Sequence, residues 1–264
     1  MSLARILSAF GLIRTSRRGG FCPACHVFQT DDTPQEIAAP GLIALAFLIV
    51  AAVAWALTIT WSRSMDDMSM GLGRFGSFVA GWAVMMTAMM IPSATPFVFE
   101  FARHAEGRRG WQAATALLGV TYLGVWLAFG VVGYALYNAV GMPWPDQGFI
   151  GGVALVIAGL YALTPIKRMS EARCRELCAL HGPLPFNLMR SAVVAGARYG
   201  LSCLGCSAGV MSALVLIGMS NLVWMIVLSA VVLADKIAPA PTFPRRLALS
   251  VALVAFGVLY AVGI

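Results

Sequence analysis

The chain has 264 residues, of which 60% are hydrophobic and only 11% charged, with a formal net charge of +7. A soluble domain carries about 25% charged residues, so there are too few charges here to cover a water-facing surface, and a soluble domain of any size is excluded. The basic residues fall in short runs between apolar stretches, as orientation charges do in a membrane protein, which argues against a nucleic-acid-binding face.

In chain order, residues 1–39 read as a cytosolic N-terminal tail. Its apolar stretch, residues 6–13 between Arg5 and Arg14, is too short to span, and no convincing small-residue cleavage site follows it. An interfacial helix or a loose tail is expected there. The tail also holds Cys22-Pro-Ala-Cys25-His26, the spacing of c-type haem attachment. That attachment takes place on the external face in bacteria, whereas this tail is expected inside. Haem is therefore disfavoured against a small cytosolic metal or redox site, or an uncommitted tail.

Apolar runs of about 20 residues, enough to cross a ~30 Å hydrocarbon core, follow at 40–61, 75–97, 111–137, 149–165, 191–219, 222–237 and 246–264. They predict an all-α bundle of about seven transmembrane helices across residues 40–264, with a cytosolic loop at 166–190. Gly151, Gly152 and Gly159 in the fourth run permit close helix packing. Pro239, Pro241 and Pro244 separate the sixth run from the seventh, although the two together also suit one re-entrant hairpin. With the N-terminus inside, the cytosolic segments hold Arg5, Arg14, Arg17, Arg18, Arg103, Arg108, Arg109, Lys167, Arg168, Arg173, Arg175, Arg190, Lys236, Arg245 and Arg246, while the external ones hold only Arg63 and Arg74. The positive-inside bias thus predicts a multi-pass bacterial inner-membrane protein with its C-terminus outside.

The candidate chemistry lies in sulfur, with 14 Met and 6 Cys in the chain. Met65, Met68 and Met70 follow the first run together with Asp66 and Asp67, a metal-capture cluster or an ordinary loop. Met85, Met86, Met89 and Met90 form two i, i+4 pairs in the second run, each presenting two thioethers on one face. Methionine is an ordinary core filler as well, but soft thioethers select Cu(I) over harder divalent ions. Cys203, Cys206 and Met211 form a compact soft-donor group in the fifth run, where buried, inert Cys is the plainer alternative. Cys174, Cys178 and His181 stand at i, i+4 and i+7, a ligand arrangement if the loop is helical.

At ~1.5 Å per residue, residues 85–90 lie roughly 15–22 Å below the outer end of the second run, and Cys203 and Cys206 roughly 18–23 Å above the inner end of the fifth. Both groups then fall near mid-membrane and share a site if the two spans are neighbours.

Several motifs carry a family likeness. They are Trp82 with Met85-Met86-x-Ala88-Met89-Met90-x-Pro92 and Pro96, then Tyr161-x-Leu163-Thr164-Pro165-x-Lys167, then Gly200-x-x-Cys203-Leu204-Gly205-Cys206 with Met211, then Asn221-Leu222-x-Trp224-Met225. Over residues 74–239 the chain resembles the DUF2182 family of predicted metal-binding integral membrane proteins, sometimes labelled copper chaperones. The family pattern has a second adjacent Cys and a Trp where this chain has Ser207 and Ala208. The resemblance implies a metal-binding membrane protein and tilts the metal toward copper.

Together these readings point to a protein that binds Cu(I) and passes it between compartments or to a partner, such as another membrane or periplasmic metalloprotein. A membrane thiol oxidoreductase using Cys203 and Cys206 is a second class of function. A structural or assembly subunit of a larger membrane complex is a third. No nucleotide-binding loop is present to drive pumping.

Overall fold

The computed structural model describes residues 38–65, 74–139, 147–178, 187–217, 222–237 and 243–262. Among them every element is a helix: α1 (Ala38–Met65), α2 (Phe75–Ala105), α3 (Trp111–Ala139), α4 (Gln147–Tyr161), α5 (Pro165–Cys178), α6 (Leu188–Ile217), α7 (Leu222–Ile237) and α8 (Phe243–Val262). The all-helical class expected from the apolar runs is what the described residues adopt.

Four of these helices, α1, α2, α3 and α6, are each long and apolar enough to cross a membrane. Taken together, α4 and α5 make a fifth candidate, bent by 67° at the break between them. The remaining two, α7 and α8, are apolar but shorter. The outward faces carry Ile49, Val120, Leu136, Ile157, Leu201 and Phe256, each more than 40% exposed. Apolar side chains in that position suit lipid and not water.

Two boundaries differ from the expected ones for clear reasons. The second run continues as helix to Ala105, eight residues past Phe97, because Phe99, Phe101 and Ala102 keep burying an inner face. Glu100 also pairs one turn ahead with Arg103 and His104 there. The fourth run stops at Tyr161, and Pro165 opens α5 where the sequence suggested the end of a span. Thr164 makes the break: its hydroxyl donates to the Tyr161 carbonyl and its oxygen accepts the Lys167 N–H. A threonine N-cap followed by proline in the first helical position starts a new helix here.

The tightest helix pairing joins α4 to α8, and it depends on absent side chains. A Cβ on Gly152 would stand 2.4 Å from the Gly257 carbonyl oxygen, and one on Gly257 would stand 2.7 Å from the Gly152 oxygen. A Cβ on Gly159 would meet the Ser250 carbonyl at 2.9 Å. The Ser250 hydroxyl donates to the Gly159 carbonyl at 2.7 Å, a polar contact that only such close backbones allow. Gly152 and Gly159 therefore do what the sequence suggested of them.

Along the other side of the bundle, α2 packs between α1 and α3, and α3 packs on α6. Trp82 of α2 donates its indole N–H to the Trp126 carbonyl of α3 at 2.9 Å, and both rings are buried. A Cβ on Gly196 would touch the Leu118 carbonyl, and one on Gly200 would touch Val125, so α6 runs parallel to α3. Because a short turn joins α2 to α3, α2 runs antiparallel to both.

Candidate metal centre

Methionines 85, 86, 89 and 90 are at most 3% exposed, so both i, i+4 faces of α2 are buried and neither is a lipid face. They belong to one contiguous apolar cluster that also takes in Cys174 of α5, Cys203 and Met211 of α6, and Met225 of α7. Six thioethers and two thiols thus enter a single core. Met225 stood in a sequence motif but not among the expected donors. Its place beside the sulfur group depends on α7 touching both α2 and α6.

The second and fifth expected spans, α2 and α6, meet through side chains and not through close backbones. Phe97 of α2 stacks on Tyr199 of α6 with ring centroids 4.2 Å apart, and the Tyr199 hydroxyl donates to the Ser93 carbonyl at 3.4 Å. On antiparallel helices of equal rise, that level carries the α6 stretch from Cys206 to Met211 alongside residues 85–90 of α2.

Tyr122 of α3 completes the link, with its ring 5.5 Å from that of Tyr199. Its hydroxyl lies 3.1 Å from Cys203 Sγ, a hydrogen bond in which either group can donate. Cys203 is fully buried.

One turn on, Cys206 has different surroundings. Its thiol donates to the Cys203 carbonyl at 3.1 Å and lies 3.6 Å from the Ser207 hydroxyl. It lines a cleft with Tyr161, Lys167 and Ser207, walled by apolar side chains of α4, α7 and α8, with space of about 20 Å³, roughly one water molecule. The Tyr161 hydroxyl donates to the Gly205 carbonyl and ties the end of α4 to α6 beside this cysteine. On the cleft's flank Glu171 bridges two cations, Lys167 at 3.0 Å and Arg246 of α8 at 2.8 Å.

Cys174 and Cys178 do lie on a helix, α5, which packs on α6 and reaches α2. Cys174 is buried and free, and Cys178 closes the helix. Met65 closes α1. Met68, Met70, His181 and the Cys22, Cys25 and His26 motif lie outside the described residues. Among the described residues, no three His, Cys, Asp or Glu side chains converge on a point where a metal could sit.

A sequence profile of the PpoB2 family, described as copper chaperones, matches residues 79–260. The chain belongs to the PpoB2 family. No curated protein and no solved structure matches it. The family description agrees with the copper-chaperone label attached to the resemblance read from the sequence, although the family name is a different one. The PpoB2 match runs from the second turn of α2 into α8 and so covers the sulfur cluster, the α4–α5 break and the Cys206 cleft.

Proposed function

We propose that this chain is a multi-pass membrane protein that binds Cu(I) in the sulfur-lined core of its bundle and passes it between compartments or to another metalloprotein. The observation that carries this reading is the burial of six methionines and two cysteines in one cluster, in a chain of a copper-chaperone family. Neutral thioethers hold a monovalent ion without adding charge to a low-dielectric core, where charge is costly. In this reading Met85, Met86, Met89, Met90, Cys203, Cys206 and Met211 hold the ion, and Met225 joins them. Met65, Met68 and Met70 capture it on one side, and Cys174, Cys178 and His181 exchange it on the other.

The test is elemental analysis of the purified protein together with competition between metals. The wild-type chain should carry copper, and Cys203→Ser with Cys206→Ser should lose most of it. Cu(I) should outcompete Zn(II) at equilibrium; tighter zinc binding would sink the copper reading. A thiol oxidoreductase would instead cycle between dithiol and disulfide without bound copper, and a structural subunit would carry neither property.

The membrane arrangement proposed with this function has seven spans in a bacterial inner membrane, the N-terminus inside and the C-terminus outside. It rests on the loop charges. A cysteine introduced at Ser69 should react with an impermeant reagent in intact cells. Protection there, with labelling instead of a cysteine introduced at the exposed Arg173, would invert the arrangement.

A further inference from the structure

The two cysteines of α6 are one turn apart yet belong to different parts of the molecule. Cys203 is sealed in the core with the methionines and bound to Tyr122, whereas Cys206 lines the cleft framed by Tyr161, Lys167 and Ser207. The methionines of α2 are at most 3% exposed and Cys203 is fully buried, so an ion held among them has no direct way out. Cys206 lies one turn along the helix from Cys203, bonds its carbonyl, and lines a described cleft.

We propose that the Cys206 cleft is an exchange port of the bundle, with Cys203 the inner and Cys206 the outer of two ligands that hold the ion in turn. This rests on the reading of the chain as a Cu(I) carrier and adds where the ion crosses between core and exterior. The step is a ligand exchange. A Cu–S bond to Cys206 forms as the Cu–S bond to Cys203 breaks, the proton of the incoming thiol ends on the outgoing sulfur, and copper stays Cu(I) throughout. A small thiol then takes the ion at the mouth: its sulfur bonds copper as the Cu–S bond to Cys206 breaks, and its proton passes to Cys206. Tyr161 braces this port by its bond to the Gly205 carbonyl.

Two measurements test the port. In the first, detergent-purified, metal-free wild-type protein is treated with methyl methanethiosulfonate and the modified cysteines are mapped by mass spectrometry. Cys206 should react at least tenfold faster than Cys203, and preloading with Cu(I) should slow that reaction; faster modification of Cys203 overturns the proposal. In the second, Cu(I)-loaded protein is mixed with a chromogenic Cu(I) chelator. Filling the cleft with Val231→Phe, or with Leu249→Phe should the first variant fold poorly, should slow release at least tenfold while affinity changes less than threefold. Release at the wild-type rate from a folded, cleft-filled variant overturns the port. Failure of the wild-type protein to bind Cu(I) at all would instead overturn the functional reading, and the order of thiol modification would still decide which cysteine faces the opening.

Discussion

Replacing Met86 and Met90 with leucine, or Met85 and Met89 in parallel, should weaken Cu(I) binding by roughly a hundredfold, about 2.8 kcal/mol, and leave the fold standing. Leucine is close to methionine in volume and apolarity, so each swap should cost less than about 1.5 kcal/mol of packing. The thioether is what is lost, and leucine offers no donor in its place. Both pairs are buried, so both must be tested, and the level set by Phe97 against Tyr199 places all four beside the stretch from Cys206 to Met211. Adding Cys203→Ser and Cys206→Ser to a methionine pair should deepen the loss by less than the sum of the separate effects, because residues serving one ion do not act independently. Additive losses would mean two unrelated patches. If neither methionine pair changes bound copper, the methionines are packing and the core is not a metal site. Isothermal competition against a Cu(I) chelator, with thermal unfolding as the control for folding, separates these outcomes.

Glu171→Ala should destabilise the bundle by about 3–5 kcal/mol, the range found when one partner of a buried ion pair is removed. The carboxylate is 8% exposed and meets Lys167 of its own helix and Arg246 of α8, so it ties the bent segment to the far side of the bundle. Removing it takes a buried carboxylate from two cations at once. Glu171→Gln keeps the shape but loses the charge and should recover only part of the loss. Unfolding in detergent, followed by circular dichroism against denaturant, reads the difference. A midpoint within error of the wild type would show that the bridge contributes nothing to holding α5 against α8.

Much of this architecture was legible from the apolar runs. The helix at Leu222–Ile237 has the bounds that its hydropathy suggested, and α3 and α6 are within about one turn of theirs. The α4–α5 break was not legible as a break. Thr164-Pro165 reads equally as the end of one helix and the start of another, and only the hydroxyl bonds of Thr164 show that it caps α5.

The candidate site divides the same way. Sulfurs stand out by type and spacing, so Met85 to Met90 and Cys203 with Cys206 could be named from composition. Tyr122 and Tyr199 could not, because an aromatic residue in an apolar run has no distinctive spacing, and its partner lies 81 or 106 residues away. Lys167 was read as a topology charge and part of a family motif, Arg246 as a topology charge, and Glu171 was left unremarked. Pairwise burial hides such groups from hydropathy, since a Lys–Glu pair on a polar helix looks like ordinary interfacial charge. The different surroundings of Cys203 and Cys206 also depend on which helices stand beside α6, information that no local pattern holds.

The glycine contact between α4 and α8 has a consequence in time. Its two halves, Gly152 and Gly257, lie about a hundred residues apart, and the chain is made at about 5–20 residues per second. For several seconds during synthesis α4 exists without the partner its flat glycine face fits. Helices in a membrane associate by packing, so that face must wait beside lipid or a temporary neighbour until α8 emerges. Only then do Ser250 and Arg246 arrive to bond Gly159 and Glu171. The Cys206 cleft, walled in part by Leu249 and Leu253, is thus among the last features of the molecule to be completed.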